Sequence, residues 1–353
     1  MARSAPRSRR AALGPMVLPF LILAACVPAA CRSAPPPETP QQVVVYCSVD
    51  QQIAEPVLAR FEKDTGVKVL PRFDTEAAKT VGLVQRLRTE SARPAADVFW
   101  SGEVFHTVRL AQEGLLAPYL GAGEAPAPMP WPKGLADPQG RWHGFALRAR
   151  VIAYHTGRVK AKEAPKRIED LLDPKWRGRV VMASPEAGTT SGHVAALFVF
   201  YGPQVAEQML KGLCANGVRL VSGNSTAVRM VATGQADVCL TDTDDVYAAQ
   251  RNGWPVAMHL CGHGEQGALV IPNTVALIKG APHPEAARRL MAFLLGEDVE
   301  RMLAASDAHT TPVHESVAKE FPAYAIPDRL PVDYAKVADM LPAAIETATK
   351  ILR

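Results

Sequence analysis

The chain has 353 residues, with 39 Lys and Arg against 35 Asp and Glu, and a formal net charge of +4. Four of the arginines lie in the first ten residues, and the first 25 residues contain no acid. The rest of the chain therefore has 35 basic and 35 acidic residues, which excludes a strongly basic surface of the kind that binds nucleic acid. About 320 residues follow that segment, enough for two domains.

The N-terminal segment has the pattern of an export signal. Arginines are followed by an apolar run from Ala11 to Ala25, and small residues immediately precede Cys26. We predict that residues 1–25 are a signal peptide and that Cys26 is lipidated, with Cys31 as a poorer alternative. The Pro-rich residues 26–42 are predicted to be an extended tether. The protein would then be held to a membrane only by its lipid anchor, in the periplasm or on the outer cell surface.

The first third of the mature chain alternates between strand and helix patterns. Short apolar runs predict strands, and apolar residues at helical spacing predict helices. In order, the predicted elements are a strand at Val43–Cys47, a helix through Ile53 and Phe61, a strand from Val67, a helix at Thr75–Arg88 and a strand at Ala96–Trp100. This alternation is typical of a parallel sheet with crossover helices and therefore predicts an α/β fold.

The same α/β pattern continues after a Pro- and Gly-rich loop at Gly121–Gly140. The predicted strands are Trp142–Leu147, Arg150–His155, Val180–Ala183, Val238–Leu240, Ala268–Ile271 and Val275–Ile278. The predicted helices are Val194–Tyr201, Gln204–Leu213, Ser225–Val231, Pro284–Leu295, Asp298–Ala305 and a last one from about Pro331. The four later cysteines, at 47, 214, 239 and 261, have no metal-ligand spacing, and export leaves their disulfide state open.

The most informative stretch of the sequence is Ala236–Tyr247. A short apolar strand, Val238–Leu240, ends where a helix is predicted to begin, and oxygen-bearing side chains fill the junction. These residues are Thr241, Asp242, Thr243, Asp244 and Asp245. Open α/β sheets bind their ligands at such junctions, because strand ends leave a crevice and helix N-termini present free N–H groups. We expect one aspartate to cap the helix and at least one other to contact a ligand.

Four segments of the chain, in order and spacing, resemble a known family. They are V-V-V-Y-C-S-V-D with F-E-K-D-T-G-V-K-V, A-A-D-V-F-W-S-G-E, L-R-A-R-V-I-A-Y-H-T, and L-V-I-P-N-T-V-A-L-I-K-G-A-P-H-P-E-A-A-R-R-L. Together they are similar to the extracellular solute-binding proteins of ABC importers, in the ferric-iron branch, whose neighbours bind phosphonates, phosphorylated sugars or thiamine. The resemblance implies a monomeric binding protein, not an enzyme, that delivers a small ligand to an ABC permease with its ATPase.

The resemblance also implies a fold and its boundaries. The family has a two-lobe type II periplasmic-binding-protein fold, with the ligand in a cleft between two α/β lobes. On this chain, lobe 1 would comprise residues 43–147 and 266–316, and lobe 2 would comprise residues 148–265 and 317–353.

The ferric branch holds iron with a His, a Glu and two adjacent Tyr, and none of these is matched here. The His position corresponds to Asp50, the Glu position to Gly102 with Glu103 next to it, and the tyrosines to Thr243 and Asp244. The acids left to hold a hard cation are Asp50, Glu103, Asp242, Asp244 and Asp245. No resident cofactor is expected. Fe(III) or another hard cation with phosphate or carbonate would be cargo, and the missing phenolates leave the cation open.

An anion site is matched more closely. Thr190, Ser191 and Gly192 correspond to the family's anion-binding loop at a helix start, where hydroxyls and free N–H groups attract an anion. Arg148 corresponds to a crossing-strand position and could add a bidentate contact. Asn224 and Ser225 correspond to a pocket segment, and Thr243 belongs to the predicted ligand-binding set.

Three alternatives remain at this point. The cleft could hold a phosphonate or a phosphorylated organic solute, with the carboxylates binding an ammonium or hydroxyls. Asp242 and Asp244 also fit the D-x-D motif of haloacid-dehalogenase-type phosphatases, although no G-D-x-x-x-D follows. A surface lipoprotein that senses or adheres would lack neighbouring permease and ATPase genes.

Overall fold

A computed structural model of the protein describes residues 41–74, 79–121 and 131–353. The predictions for the signal peptide, for Cys26 and Cys31 and for nearly all of the tether lie outside these residues. The tether prediction ends one residue late, because Gln42 already belongs to the first strand. No helix within the described ranges combines the length and the apolar character needed to span a bilayer.

The described residues form one mixed sheet. Its strands are β1 (Gln42–Cys47), β2 (Lys68–Phe73), β3 (Val98–Ser101), β4 (Leu116–Ala117), β5 (His143–His155), β6 (Val180–Ala183), β7 (Arg219–Val221), β8 (Val238–Asp242), β9 (Val256–Leu260) and β10 (Val270–Ile278). The strand order is β2-β1-β3-β10-β5-β8-β6-β7, with β4 beside β10 and β9 beside β5. The pairs β1–β2, β1–β3, β6–β7 and β6–β8 are parallel, whereas β10 and β5 run antiparallel to their neighbours. The predicted α/β class is confirmed.

Helices cover the faces of this sheet. They are α1 (Gln51–Thr65), α2 (Val81–Thr89), α3 (Phe105–Gln112), α4 (Gly188–Tyr201), α5 (Pro203–Ala215), α6 (Asn224–Ala232), α7 (Thr243–Arg251), α8 (Pro284–Leu294), α9 (Glu297–Ala305), α10 (Glu315–Ala318) and α11 (Tyr334–Leu352). Helix α11 packs against α3, α4 and α5. This contact matters for the site, because α3 and α4 both begin at the edge of the sheet where the aspartates lie.

Strands β5 and β10 are continuous, where the sequence predicted two strands for each. Up to Ala149, β5 pairs with β10, and from Arg150 onward it pairs with β8 and β9. The ladder therefore continues through the polar residues that suggested a break. In β10, the proline that suggested a second break is accommodated by a register shift between Pro272 and Asn273. The exchange of partners places Arg148 and Arg150 in the middle of the molecule, on the same face of one strand.

Several elements were missed by the sequence analysis. Strand β7 has only three residues, and β9 begins with the short apolar run of Val256, Ala257 and Met258, which the sequence analysis did not identify as a strand. Helix α3 was missed although it follows β3 directly, and α4 begins at Gly188, six residues before its predicted start. Helix α4 begins with Gly188 and three hydroxyl residues, which do not continue the apolar pattern that predicted the helix. The division into lobe 1 (residues 43–147 and 266–316) and lobe 2 (residues 148–265 and 317–353) stays a prediction.

Helix α1 ends at a glycine that has a left-handed backbone. Gly66 has φ 70° and donates its N–H to the carbonyl of Glu62, and a Cβ at Gly66 would meet no atom within 4 Å. The substitution Gly66→Ala therefore adds no clash, and its cost is conformational. We expect it to lower the free energy of unfolding by about 1 kcal/mol, measured by urea denaturation. An unchanged or higher stability would contradict a left-handed helix end at this residue.

Candidate functional site

A cavity that is partly open to solvent lies where β3 and β8 end and where α4 and α6 begin. We call it the first chamber. The predicted site residues that line it are Glu103, Arg148, Thr190, Asn224, Asp242, Asp244 and Asp245. Lys79, Thr189 and Ser48 also line it and were not predicted. The structure therefore brings the Asp cluster and the predicted anion loop to one place.

Asp242 is the most deeply buried acid of the three-aspartate group that lines this chamber. It lies directly opposite Arg150 in the antiparallel β5–β8 ladder, and Arg150 Nη1 is 2.7 Å from Asp242 Oδ1. Thr189 Oγ1 and Asn224 Nδ2 donate to Asp242 Oδ2 at 2.5 and 3.0 Å. Burial raises the pKa of Asp242, but Arg150 and Arg148 outweigh burial and hold that pKa below its usual range. With both oxygens occupied, Asp242 is a poor nucleophile, contrary to the phosphatase alternative.

Asp244 forms the central ion pair of the chamber. Arg148 Nη1 is 2.8 Å from Asp244 Oδ2 and 3.9 Å from Asp242 Oδ2, and Arg148 Nη2 donates to the carbonyl of Gly102. Asp244 Oδ1 is buried and has no hydrogen-bond partner among the described residues. An unpaired carboxylate oxygen in such a position costs free energy until a cation or donor reaches it. Asp244 is therefore the acid best placed to receive a ligand.

Asp245 completes a group of three carboxylates. Oxygens of Asp242, Asp244 and Asp245 lie within 4.8 Å of one another, and Asp245 Oδ2 accepts a hydrogen bond from Thr241 Oγ1 at 2.8 Å. Burial raises the pKa of Asp244 despite Arg148, and burial together with its two acidic neighbours raises the pKa of Asp245 well above its usual range. Such a group holds a proton in the absence of a cation, and a hard cation would replace that proton.

The two remaining predicted acids lie outside this group. Asp50, at the start of α1, pairs with Lys79 at 2.6 Å. Glu103 is 1% exposed, and its oxygens accept hydrogen bonds from the backbone of Phe105 and from the backbone and ring of His106. Glu103 therefore serves in this structure as the cap of α3. The role of Glu103 as a metal ligand stays a prediction, and a metal ion there would compete with the N–H groups of Phe105 and His106 for the carboxylate.

The start of α4 forms the wall of the chamber next to Asp242. Its first residues are Gly188, Thr189 and Thr190, so the helix exposes its N-terminal N–H groups two residues earlier than the predicted loop. Thr190 Oγ1 donates to Asn224 Oδ1 at 3.3 Å. Thr189 was missed because the sequence does not reveal which turn begins the helix.

Ser191, Gly192, Thr243 and Ser225 lie elsewhere. Ser191 donates to a carbonyl within α4, and a Cβ on Gly192 would lie 2.0 Å from the Phe105 ring. Thr243 accepts a hydrogen bond from the backbone of Ala149, and Ser225 lines a separate surface cavity beside α7. None of the four lines the first chamber, and their ligand roles stay predictions.

A second group of metal-type donors lies behind the cleft, formed by the buried side chains of His193, Cys261 and His263. Hydrogen bonds link the two histidines in a chain that runs from the carbonyl of Gly267 to Arg150. His263 Nδ1 donates to the carbonyl of Gly267 at 3.2 Å, so His263 Nε2 accepts from His193 Nε2 at 2.9 Å. His193 Nδ1 then accepts from Arg150 Nε at 3.2 Å. Burial lowers the pKa of both histidines, which keeps them neutral beside Arg150. The chain orients Arg150 toward Asp242.

Comparisons with known proteins identify the family of the chain. The family described as bacterial extracellular solute-binding protein matches residues 93–337. Iron uptake protein A1 of Synechocystis is 30% identical over 81% of this chain and 82% of its own length. The major ferric iron-binding protein of Neisseria meningitidis serogroup B is 27% identical over 79% and 83% of the two chains.

The crystal structure of iron-bound HitA from Pseudomonas aeruginosa aligns with a TM-score of 0.73 at 27% identity, over 88% of this chain and 99% of HitA. The predicted two-lobe type II fold is confirmed by this likeness. These relatives are binding proteins. This confirms the prediction from the sequence that the chain belongs to a family of binding proteins and not of enzymes.

Proposed function

Because the chain belongs to the family of bacterial extracellular solute-binding proteins, we propose that it captures a small ligand in the acidic chamber for an ABC importer. The ligand in this proposal is a hard cation, accompanied by an anion at the start of α4. The protein, anchored to a membrane by a lipid on Cys26, would bind the ligand outside the cytoplasm and pass it to a permease in the cytoplasmic membrane. The observation that carries the proposal is the buried Oδ1 of Asp244, which has no hydrogen-bond partner in the described part of the chain and lies beside two further carboxylates.

The chemistry of the chamber supports a hard cation. Carboxylate oxygens are the preferred ligands of such ions. In the described part of the chamber, Asp242, Asp244 and Asp245 each have a carboxylate oxygen within 4.8 Å of the other two. Arg148 already occupies part of the cation position through its 2.8 Å contact with Asp244. A cation that enters must move this guanidinium, and an accompanying anion would receive the freed charge. Cation and anion are therefore expected to bind together.

A second candidate ligand is a phosphonate or a phosphorylated organic solute. The charge pairing favours it: Asp242 pairs with Arg150, Asp244 with Arg148, and Asp50 with Lys79. A cleft in which three carboxylates already have a cationic partner suits a ligand that carries both an anion and hydrogen-bond donors. The helix start would hold the anion, and Asp244 would hold an ammonium or a hydroxyl.

The substitution Asp244→Asn tests the site, because it removes the charge and keeps the shape. The ligands to compare by thermal shift are Fe(III) citrate, Fe(III) with phosphate, Ca²⁺, Mn²⁺, 2-aminoethylphosphonate and a hexose phosphate. A ligand at about 100 times its Kd stabilises a protein by about 2.7 kcal/mol, and we expect Asp244→Asn to lose most of that stabilisation.

The matched control is Asp298→Asn, since the Asp298 side chain is 86% exposed on α9. It should keep the full ligand-dependent shift. If Asp244→Asn also kept the full shift with the best ligand, the binding site would lie outside the first chamber.

A further inference from the structure

Helix α7 carries three functional-group side chains at the spacing of a single stripe. Asp244 lies in its first turn, Tyr247 follows three residues later, and Arg251 follows four residues after that, at the end of the helix. Residues three and four apart share one face of an α-helix. Of these three residues, only Asp244 lines the first chamber. Tyr247 and Arg251 therefore continue the stripe away from the ligand acids, and no predicted ligand role explains them.

The stripe contacts residues 306–310, which follow α9 and which we call the α9 loop. Arg251 forms an ion pair with Asp307, and both of these side chains are half exposed. The centroid of the Tyr247 ring lies 5.4 Å from that of His309 and 5.3 Å from that of Tyr324, and both pairs are edge-to-face. His309 also stacks on Tyr324 at 4.5 Å. Packed ring pairs stabilise a contact more than an exposed ion pair does, so Tyr247 is its stronger part.

The α9 loop is fixed at both of its ends. His309 has φ 43°, a left-handed backbone that disfavours residues with a Cβ. Its N–H donates to the carbonyl of Ser306 at 3.2 Å, and its Nδ1 donates to the carbonyl of Ala304 at 3.1 Å. Beyond the loop, Thr311 exchanges two backbone hydrogen bonds of 2.8 Å with Leu147 of β5. The loop is therefore held to α9 and to β5 while it presents the His309 ring to α7.

The two sides of this contact belong to opposite ends of the sheet. Helix α7 follows β8, on the side of the sheet that ends in β6 and β7. Helix α9 packs against α1 and α8, which contact β1, β2 and β3 on the other side of β5 and β10. Asp244 of α7, Asp50 at the start of α1 and Ala308 of the α9 loop line the surface cavity beside α7 together. The contact therefore bridges the cleft next to the ligand acids.

We propose that Tyr247 and Arg251 are positioning residues for ligand binding, which hold the α7 side of the cleft at a fixed separation from the α1 side through Asp307 and His309. This inference rests on the proposed function and adds residues to it that touch no ligand. The apparent Kd equals the intrinsic Kd divided by the fraction of molecules in the binding-competent arrangement. Loss of the contact lowers that fraction, so it weakens every ligand of the cleft by the same factor.

Tyr247→Ala removes the ring contacts, and Tyr247→Phe is the matched control that keeps them. Solution scattering on the ligand-free protein should give Tyr247→Ala a larger radius of gyration than the wild type and Tyr247→Phe the same one. Calorimetry with Fe(III) citrate and with 2-aminoethylphosphonate should show each probe that binds the wild type weakened about tenfold in Tyr247→Ala. Tyr247→Phe should change either affinity by less than about twofold. A merely structural role would lower the stability without changing the radius of the folded protein.

The ion pair is tested by reversal of its charges. Arg251→Glu places two like charges together, because Asp307 is the partner of Arg251. We expect a larger radius of gyration and an affinity about threefold weaker for each probe that binds. The double substitution Arg251→Glu with Asp307→Lys should restore both quantities. Arg60→Glu is the control, since the exposed pair of Arg60 with Asp64 lies within α1 and should leave both unchanged.

Two results would overturn the positioning role. One is a radius of gyration for Tyr247→Ala equal to that of the wild type. The other is a loss of affinity for one probe while a second probe binds as before, because Tyr247 would then contact a ligand directly. If neither probe bound the wild type, the proposed function would fail, and the radius of gyration alone would decide the role of the contact. Asp244→Asn should lose the ligand at an unchanged radius, so the two failures are distinguishable.

Discussion

Replacing Arg150 with methionine is expected to lower the free energy of unfolding by about 3–5 kcal/mol. Arg150 is 0% exposed, and its guanidinium pairs with Asp242, which is 1% exposed. Methionine can fill much of the same volume but leaves the Asp242 carboxylate charged and without its nearest cation. The penalty is the cost of a buried, uncompensated charge. Urea unfolding at neutral pH measures it directly.

The companion variants separate charge from packing. If the charge on Asp242 causes the loss, the double substitution Arg150→Met with Asp242→Asn should be more stable than Arg150→Met alone. Arg60→Met removes an exposed ion pair with Asp64 and should change stability by less than about 1 kcal/mol. A loss below 1 kcal/mol in Arg150→Met itself would show that the buried pair is not what fixes the end of β8.

The importance of Arg150 illustrates what the sequence could not reveal. The aspartates were found because a local pattern marks them: an apolar strand, then oxygen-bearing residues, then a helix. Arg150, the partner of Asp242, has no local mark, since it lies 92 positions from Asp242 along the chain. The two meet because β5 exchanges β10 for β8 at Arg150. An exchange of strand partners depends on the whole sheet, and no window of sequence contains it.

The direction of each side chain was also beyond the sequence. The acids and the helix start were predicted to lie in one cleft, and the structure brings them together. Glu103 was predicted to be a ligand, but helix α3 was not predicted, and its unpaired N–H groups now bind the Glu103 carboxylate. Thr189, rather than Ser191, faces Asp242, because α4 starts at Gly188 with φ 61°. A shift of two residues in a helix start turns each following side chain to another side.

Gly192→Ala is the second substitution with a large expected effect, a loss of about 1–3 kcal/mol in the free energy of unfolding. A Cβ at Gly192 would lie 2.0 Å from two ring carbons of Phe105. Phe105 is 0% exposed and also contacts the Tyr334 ring, so the ring cannot move away at low cost. The substitution therefore forces α4 away from α3 at the point where both helices begin beside the first chamber.

A control on another helix makes this result specific. Gly212 lies inside α5, where a Cβ would meet the end of the flexible Leu172 side chain at 2.9 Å. Gly212→Ala gains helix propensity of about 1 kcal/mol and should be neutral or stabilising. The double substitution Gly192→Ala with Phe105→Leu should lose less than the sum of its single changes, because the smaller side chain makes room for the methyl group.

The outcome also decides what Gly192 does. A helix contact predicts lower stability that Phe105→Leu partly restores. A ligand contact, which the sequence resemblance implies, predicts unchanged stability and weaker binding of the accompanying anion. If Gly192→Ala were as stable as the wild type, the close approach of α3 and α4 would be wrong. The wall of the first chamber would then lie farther from the aspartates than the structure places it.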